Sequence, residues 1–82
     1  MKLVLIDWID SHSGRGWQAV EQLETTAEPL YCRSVGWLLK ESNGCKVIVP
    51  HLAGEKQGCF QGCGDITIPN KAILKTTILR GK

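Results

Sequence analysis

No stretch of this sequence is long and apolar enough to cross a membrane. A membrane-spanning helix needs about 20 consecutive apolar residues, whereas the longest apolar run is Leu3 to Ile6. That run is also too short for a signal peptide, and no small-residue cleavage site follows it. We therefore expect a cytoplasmic protein that makes no membrane contact and whose four cysteines are thiols rather than disulfides.

A strong excess of charge of one sign is also missing. The net charge is +2, which is too small to favour nucleic-acid binding. The basic residues gather toward the end of the chain, where Lys71, Lys75, Arg80 and Lys82 have no acidic neighbour in the last twelve residues. Two interpretations stay open. These residues form a weak phosphate-attracting edge, or they solvate a last strand and prevent aggregation, and we favour the second.

Signature motifs of common enzymes are absent. The glycine-rich segment 54–64 lacks the Gly-Lys-Ser/Thr ending of a P-loop, and no nucleophile-elbow motif occurs. Asp10, Ser11 and His12 have the residue types of a hydrolytic triad, but neighbours in sequence rarely point at each other. A local turn in which Asp10 and Ser11 bond backbone N–H groups explains these residues better. We expect no enzymatic activity, with a small hydrolase using Asp10 and His12 as the least favoured alternative.

The clearest positive signal is Asn43-Gly44 between two apolar runs, which predicts a β-hairpin with a type I′ turn. Pairing about that turn places Glu41 opposite Lys46, an attractive cross-strand pair. It also places Leu39, Trp37 and Val35 opposite Ile48, Pro50 and Leu52, and we expect these three pairs to share the core face. Ser34, Gly36 and Leu38 then lie on the opposite face, which we expect to be wet or only partly covered.

Further strands are predicted on both sides of this hairpin. Leu3 to Ile9 reads as a first strand with Val4, Ile6 and Trp8 inward, and Ser11 to Pro29 as a long loop with one short helical turn. Ala53 to Gly64 reads as a second loop, Asp65 to Ile68 as a strand with Ile66 and Ile68 inward, Pro69 to Ala72 as a 3₁₀ turn, and Ile73 to Leu79 as the last strand.

These elements predict a mainly β protein with one domain, residues 1–82. The chain has 82 residues, of which 43% are hydrophobic and 22% charged, and so few residues cannot fill a two-sheet sandwich. We predict a small SH3-like five-stranded barrel with a long first loop and a 3₁₀ turn before the last strand. An open α+β sandwich, in which residues 17–28 form a full helix, is the alternative.

Several segments of the sequence resemble a family of small tailed-phage and prophage proteins. The matching segments are Val4 to Ser11, Gly16-Trp17, Cys32 to Glu41 and Ile66 to Pro69 with Ile73, and together they cover about half of the chain. Ser34-Val35-Gly36-Trp37-Leu38 is the most specific of them, whereas the glycine- and cysteine-rich 54–64 loop departs from the pattern. The resemblance implies a phage gene expressed in the cytoplasm of a bacterial host, and it implies no activity and no catalytic residues.

Aromatic residues supply the first candidate site. Three tryptophans in 82 residues exceed the usual share, and grooves on small barrels often use such rings to stack a base, a proline or a partner's side chain. Arg15, Arg33 and the N–H groups beside Gly14 and Gly16 could hold an anion. The predicted ligand- or partner-binding residues are Trp8, Asp10, Ser11, Arg15, Trp17, Ser34 and Trp37. The alternative is that Trp8 and Trp37 only fill the core and that Trp17 folds back over it.

A zinc site is the second candidate. Thiolate and imidazole are preferred zinc ligands, and His51, Cys59 and Cys63 lie close in sequence. The spacing of three residues between the two cysteines is one longer than the common spacing, and Cys45 lies too far along the hairpin to join His51. The alternative is that Cys32 and Cys45 are apolar fillers and that Cys59 and Cys63 are free loop thiols.

Two functions follow from these sites. The first is a phage-encoded accessory protein that binds or sequesters a host protein or a nucleotide-like small ligand, with an inhibitor or anti-defence role, without a cofactor and without catalysis. An oligomer through exposed strand edges would fit this function. The second is a zinc-stabilised structural or interaction domain that uses His51, Cys59 and Cys63.

Overall fold

The structure, a computed structural model, describes residues 1–80. It contains seven strands, one short α-helix and one 3₁₀ turn. In chain order these are β1 (Leu3–Asp10), α1 (Val20–Glu24), β2 (Leu30–Ser42), β3 (Cys45–Val49), β4 (His51–Ala53), β5 (Gln61–Cys63), β6 (Ile66–Pro69), the 3₁₀ turn (Asn70–Ala72) and β7 (Ile73–Leu79). The prediction of a mainly β protein with a 3₁₀ turn before the last strand is confirmed.

Five of the strands form one antiparallel sheet with the order β6-β3-β2-β1-β7. The remaining strands, β4 and β5, pair with each other as a separate hairpin. Residues 61–63 were expected within a loop, so this part of the prediction is wrong, because a strand of three residues has too short a pattern to recognise. β6 and β7 are the two edges of the large sheet and are not paired with each other within residues 1–80. The SH3-like barrel therefore stays a prediction.

The turn of the central hairpin has the conformation that the sequence predicts. Asn43 and Gly44 both have positive φ, at 52° and 72°, as a type I′ turn requires. Glu41 lies opposite Lys46, and their charged groups are 2.8 Å apart. The local signal in the sequence was sufficient here, because only asparagine and glycine adopt this backbone conformation at low cost.

Beyond Lys40 the register shifts by one residue. Leu38 rather than Leu39 lies opposite Ile48, and Trp37 lies opposite Val49, because a β-bulge interrupts the pairing between Leu38 and Lys40. A single extra residue reverses which side chains face the core. The predicted core face of Val35, Trp37 and Leu39 is therefore wrong, and the face with Ser34, Gly36 and Leu38 points inward.

The core lies between β1, β3 and β6. Its fully buried members are Val4, Ile6, Ile48 and Ile68, and Trp8, Leu38, Ile66, Ala72 and Ile73 pack against them. The inward orientation predicted for β1 and β6 is thus confirmed. Each fully buried aliphatic side chain contributes about 1.5–3 kcal/mol to folding.

The molecule is long for its size. The radius of gyration is 17.0 Å, whereas a compact chain of this length has about 12 Å. The longest dimension of 56 Å is twice the next, 28 Å. All residues from 10 to 31, from the last residue of β1 to the second residue of β2, are exposed, and we call this segment the arm. Among residues 1–80 no helix is long and apolar enough to span a membrane.

Candidate functional site

The structure brings together two of the predicted site residues, Trp8 and Ser34. The indole Nε1 of Trp8 donates a hydrogen bond of 3.1 Å to Ser34 Oγ. The register of β1 and β2 produces this contact, because Ser34 pairs with Ile6 and thereby lies diagonally across from Trp8 on the same face. Both side chains are partly buried and face inward, so this pair closes one end of the core.

Trp37 lies on the opposite face of the same sheet. It pairs with Leu3 of β1 and with Val49 of β3, and successive residues of a strand point to opposite faces. The indoles of Trp8 and Trp37 therefore do not line a common groove. One stacked ligand could not contact both rings within a single chain.

Gly36 lies on the inward face of β2 with Ser34 and Leu38, and its missing side chain allows another part of the molecule to approach closely. The neighbour that approaches is the backbone of this chain. A Cβ at Gly36 would lie 3.0 Å from the carbonyl oxygen of Val49 and 3.1 Å from its amide nitrogen. Gly36 is buried, so it is a packing residue of the sheet.

Asp10, Ser11, Arg15 and Trp17 all belong to the arm. Asp10 Oδ1 accepts a hydrogen bond of 2.8 Å from the Ser11 N–H, as expected for a local turn. The neighbouring His12 ring is hydrogen-bonded at 2.6 Å to the carbonyl oxygen of Glu28, on the other limb of the arm. Its ring therefore serves to close the arm and is directed at neither Asp10 nor Ser11.

Trp17 is the most exposed large side chain, with its full surface accessible. It does not fold back over the core. The backbone before it turns at Gly16, whose φ of 75° favours glycine, and Gln18 Nε2 donates a 3.3 Å hydrogen bond to the carbonyl oxygen of Arg15. Arg15 and Trp17 are thus displayed on a loop without packing partners.

An open groove on the outer face contains the remaining predicted residue, Trp37. The groove has a volume of about 340 Å³ and is lined by Met1, Trp37, Leu52, Glu55 and Phe60. The β4–β5 hairpin positions it, because residues 52 to 60 fold over the outer face where β3 ends. Its lining is apolar and aromatic with one carboxylate.

Phe60 of this groove was missed by the sequence reasoning. It is 48% exposed and lies in the glycine-rich segment that was predicted to be a loop. A signal existed, because Phe60 is a lone aromatic among polar and glycine residues, as is Trp17. The contact with the Trp37 groove could not be predicted, since it depends on how β4 and β5 pack back on the sheet.

The residues proposed for zinc are only partly brought together. His51 and Cys63 lie directly opposite each other in the β4–β5 ladder. Cys59 lies at the hairpin end, where its N–H donates a 3.0 Å hydrogen bond to the carbonyl oxygen of Gly54. No group of three or more His, Cys, Asp or Glu side chains that could hold a metal ion occurs in residues 1–80. The zinc site stays a prediction.

Two ion pairs order the surface around the sheet. Arg33 Nε donates to Asp7 Oδ1 at 2.6 Å across β1 and β2. At the hairpin turn, the hydrogen bond from Lys46 and its positive charge lower the pKa of Glu41 below its usual value. Both pairs are at least partly exposed, so they orient side chains more than they stabilise the fold.

Comparison with known proteins adds no family to this description. No protein-family model, no curated protein and no solved structure matches the chain significantly.

Proposed function

We propose that this chain is a small non-catalytic binding protein that holds a side chain of a protein partner in the Trp37 groove. The groove itself is the observation that carries the proposal. Two aromatic rings, Trp37 and Phe60, and two aliphatic side chains surround about 340 Å³ of open space. Cavities that take small groups have this size and combine aromatic and aliphatic side chains with a few polar atoms.

The chemistry of the groove favours a protein partner over a nucleotide-like ligand. Glu55 has the one charged side chain in its lining, and a carboxylate repels phosphate. An aromatic ring beside a carboxylate instead suits a lysine or arginine side chain, through cation–π attraction and an ion pair. The basic residue Arg15, which was expected to meet a phosphate, lies on the arm and is absent from this lining.

We also propose an SH3-like fold and a phage origin for this protein. An SH3-like barrel is supported by the strand order β6-β3-β2-β1-β7 and by the 3₁₀ turn between the edge strands β6 and β7. Such small sheets commonly bind partners in aromatic grooves. The resemblance to phage proteins supports an accessory role in the cytoplasm of a bacterial host, where binding occludes a host protein.

The test is a capture experiment with a variant of the groove. The double variant Phe60→Ser, Glu55→Lys removes the exposed ring and reverses the charge, while both side chains are exposed enough to spare the fold. Leu39→Ser is the matched control, because Leu39 is a similarly exposed apolar residue at 43% outside the groove. The three proteins are immobilised and exposed to bacterial lysate, and retained proteins are identified by mass spectrometry.

The expected result is a host protein retained by the wild type and by Leu39→Ser and lost from the groove variant. Equal capture by all three proteins would refute the groove as the binding site. A bound small molecule of a few hundred daltons in native mass spectrometry, lost only from the groove variant, would replace the protein partner with a nucleotide-like ligand.

A further inference from the structure

The arm, residues 10–31, has no core of its own. The helix α1 within it has five residues, none of them buried, and lacks a side-chain cap. A helix this short is not stable by itself in water, and ordering each residue costs conformational entropy. The arm also displays a set of large apolar side chains that share high exposure, namely Trp17, Val20, Leu23, Leu30 and Tyr31. An apolar set of this kind indicates a surface that another molecule covers.

The charge of the arm differs from that of the rest of the chain. Arg15 is its single basic residue, against Asp10, Glu21, Glu24 and Glu28, which gives a net charge of −3. Since the whole chain has a net charge of +2, the residues outside the arm have a net charge of +5. Opposite charges on two parts of one chain favour contact between two copies, because each copy supplies both partners.

The β7 edge matches the arm in chemistry. β7 pairs with β1 on one side and is unpaired on the other within residues 1–80. Lys75 lies within β7, and Lys71 and Arg80 lie just before and just after it. Leu74 and Ile78 are 59% and 43% exposed, and the seven residues of the strand span about 24 Å.

The other edge of the sheet is a poorer match. β6 has four residues and ends in Pro69, which has no N–H to donate. Asp65 precedes it, and no lysine or arginine lies within it. An acidic arm would therefore find fewer backbone N–H groups and no basic side chain within this edge strand.

We propose that two copies of this chain form a dimer in which the arm of each copy lies along the β7 edge of the other. The contact is the same in both directions, as a two-fold axis requires. Trp17 and Tyr31 cover Leu74 and Ile78 of the partner copy, and the acidic side chains face its basic edge. Aromatic side chains bury about 150–250 Å² each. Two rings from each copy, together with an equal area of the surface they cover, would bury about 1,200–2,000 Å², the size of a specific interface.

The first test is the mass in solution, measured by light scattering during size-exclusion chromatography. At roughly 100 µM, well above the Kd of most specific interfaces, and at about 50 mM salt, we expect twice the chain mass of 9.1 kDa. The double variant Trp17→Ser, Leu23→Ser should raise the dimer Kd by about tenfold or more. A wild-type chain that remains at 9.1 kDa overturns the proposal.

A charge exchange identifies which surfaces meet. The arm variant Glu21→Lys, Glu24→Lys, Glu28→Lys and the edge variant Lys71→Glu, Arg80→Glu should each be monomeric alone, because like charges then oppose each other. Mixed in equal amounts, they should form a heterodimer, since both arm-to-edge contacts become attractive again. Lys56→Glu, outside both surfaces, is the control and should remain dimeric.

The same experiment separates this arrangement from others. If the arms packed on each other, the edge variant would still dimerise alone, and that result overturns the proposal. The outcome is independent of the Trp37 groove, because the groove variant Phe60→Ser, Glu55→Lys should keep the dimer mass. Failure of the dimer and failure of the groove are therefore distinguishable.

Discussion

Gly36 is the position where the structure makes its sharpest prediction about stability. Gly36 lies in the middle of β2, where a glycine is ordinarily a weak choice. Replacing it with alanine adds a Cβ that would lie 3.0 Å from the carbonyl oxygen of Val49 and 3.1 Å from its carbonyl carbon and amide nitrogen. All three atoms belong to the backbone of a buried residue, so no flexible side chain can move aside.

The expected loss follows from two opposing effects. Overpacking a well-packed site costs about 1–3 kcal/mol. Replacing glycine by alanine returns about 0.4–1 kcal/mol, because the unfolded chain loses freedom. The first effect is larger, so we expect Gly36→Ala to lower the free energy of unfolding by about 1–2 kcal/mol. For a domain of this size each kcal/mol lowers Tm by roughly 4–8 °C.

Urea unfolding followed by circular dichroism measures this loss, with Gly14→Ala as the matched control. At Gly14 the nearest atom to an added Cβ is the side-chain Nε2 of Gln18, at 3.4 Å, which can move. The control should change stability by less than about 0.5 kcal/mol. A Gly36→Ala protein as stable as the wild type would refute the close approach of β2 and Val49, and with it the register that produces this approach.

Three further predictions test the register, the hairpin turn and the metal hypothesis. Leu38→Ala, at a partly buried position, should lower the unfolding free energy by about 1–3 kcal/mol and Leu39→Ala by less than about 1 kcal/mol. Urea unfolding measures both, and the reverse order would contradict the β-bulge between them. Lys46 lowers the pKa of Glu41 in the folded protein. The pair therefore stabilises the fold at any pH above the ordinary carboxyl pKa, and this stabilisation is lost as the pH falls through the lowered pKa of Glu41. Glu41→Gln should therefore have a lower Tm than the wild type at neutral pH, and the difference should vanish in acid; an equal difference at both pH values would argue against the pair. If the β4–β5 hairpin holds no zinc, incubation with EDTA should leave Tm unchanged, and a fall in Tm restored by zinc would revive that hypothesis.

The candidate site was predictable only in its residue types. A lone aromatic in a polar segment identified Trp17 as an exposed contact residue, and the same reasoning would have identified Phe60. The composition of the Trp37 groove was not predictable, because Trp37 and Phe60 line one groove only through the way two successive hairpins pack together. Trp8 and Trp37 are 29 residues apart, which is an odd number. In the register of β1 and β2 an odd spacing places them on opposite faces of the sheet, but the register was known only from the structure.

The sequence by itself determined the features whose cause is local. The turn at Asn43-Gly44 follows from the cost of positive φ in other residues. The inward face of β6 follows from the alternation of isoleucine with Thr67, and that of β1 from the outward position of Asp7. The tertiary structure alone decided the register beyond Lys40, since one extra residue in the β-bulge exchanges the two faces of β2. It also decided that the arm remains exposed along its whole length, because a segment with no core folds back only where another surface can bury its apolar side chains.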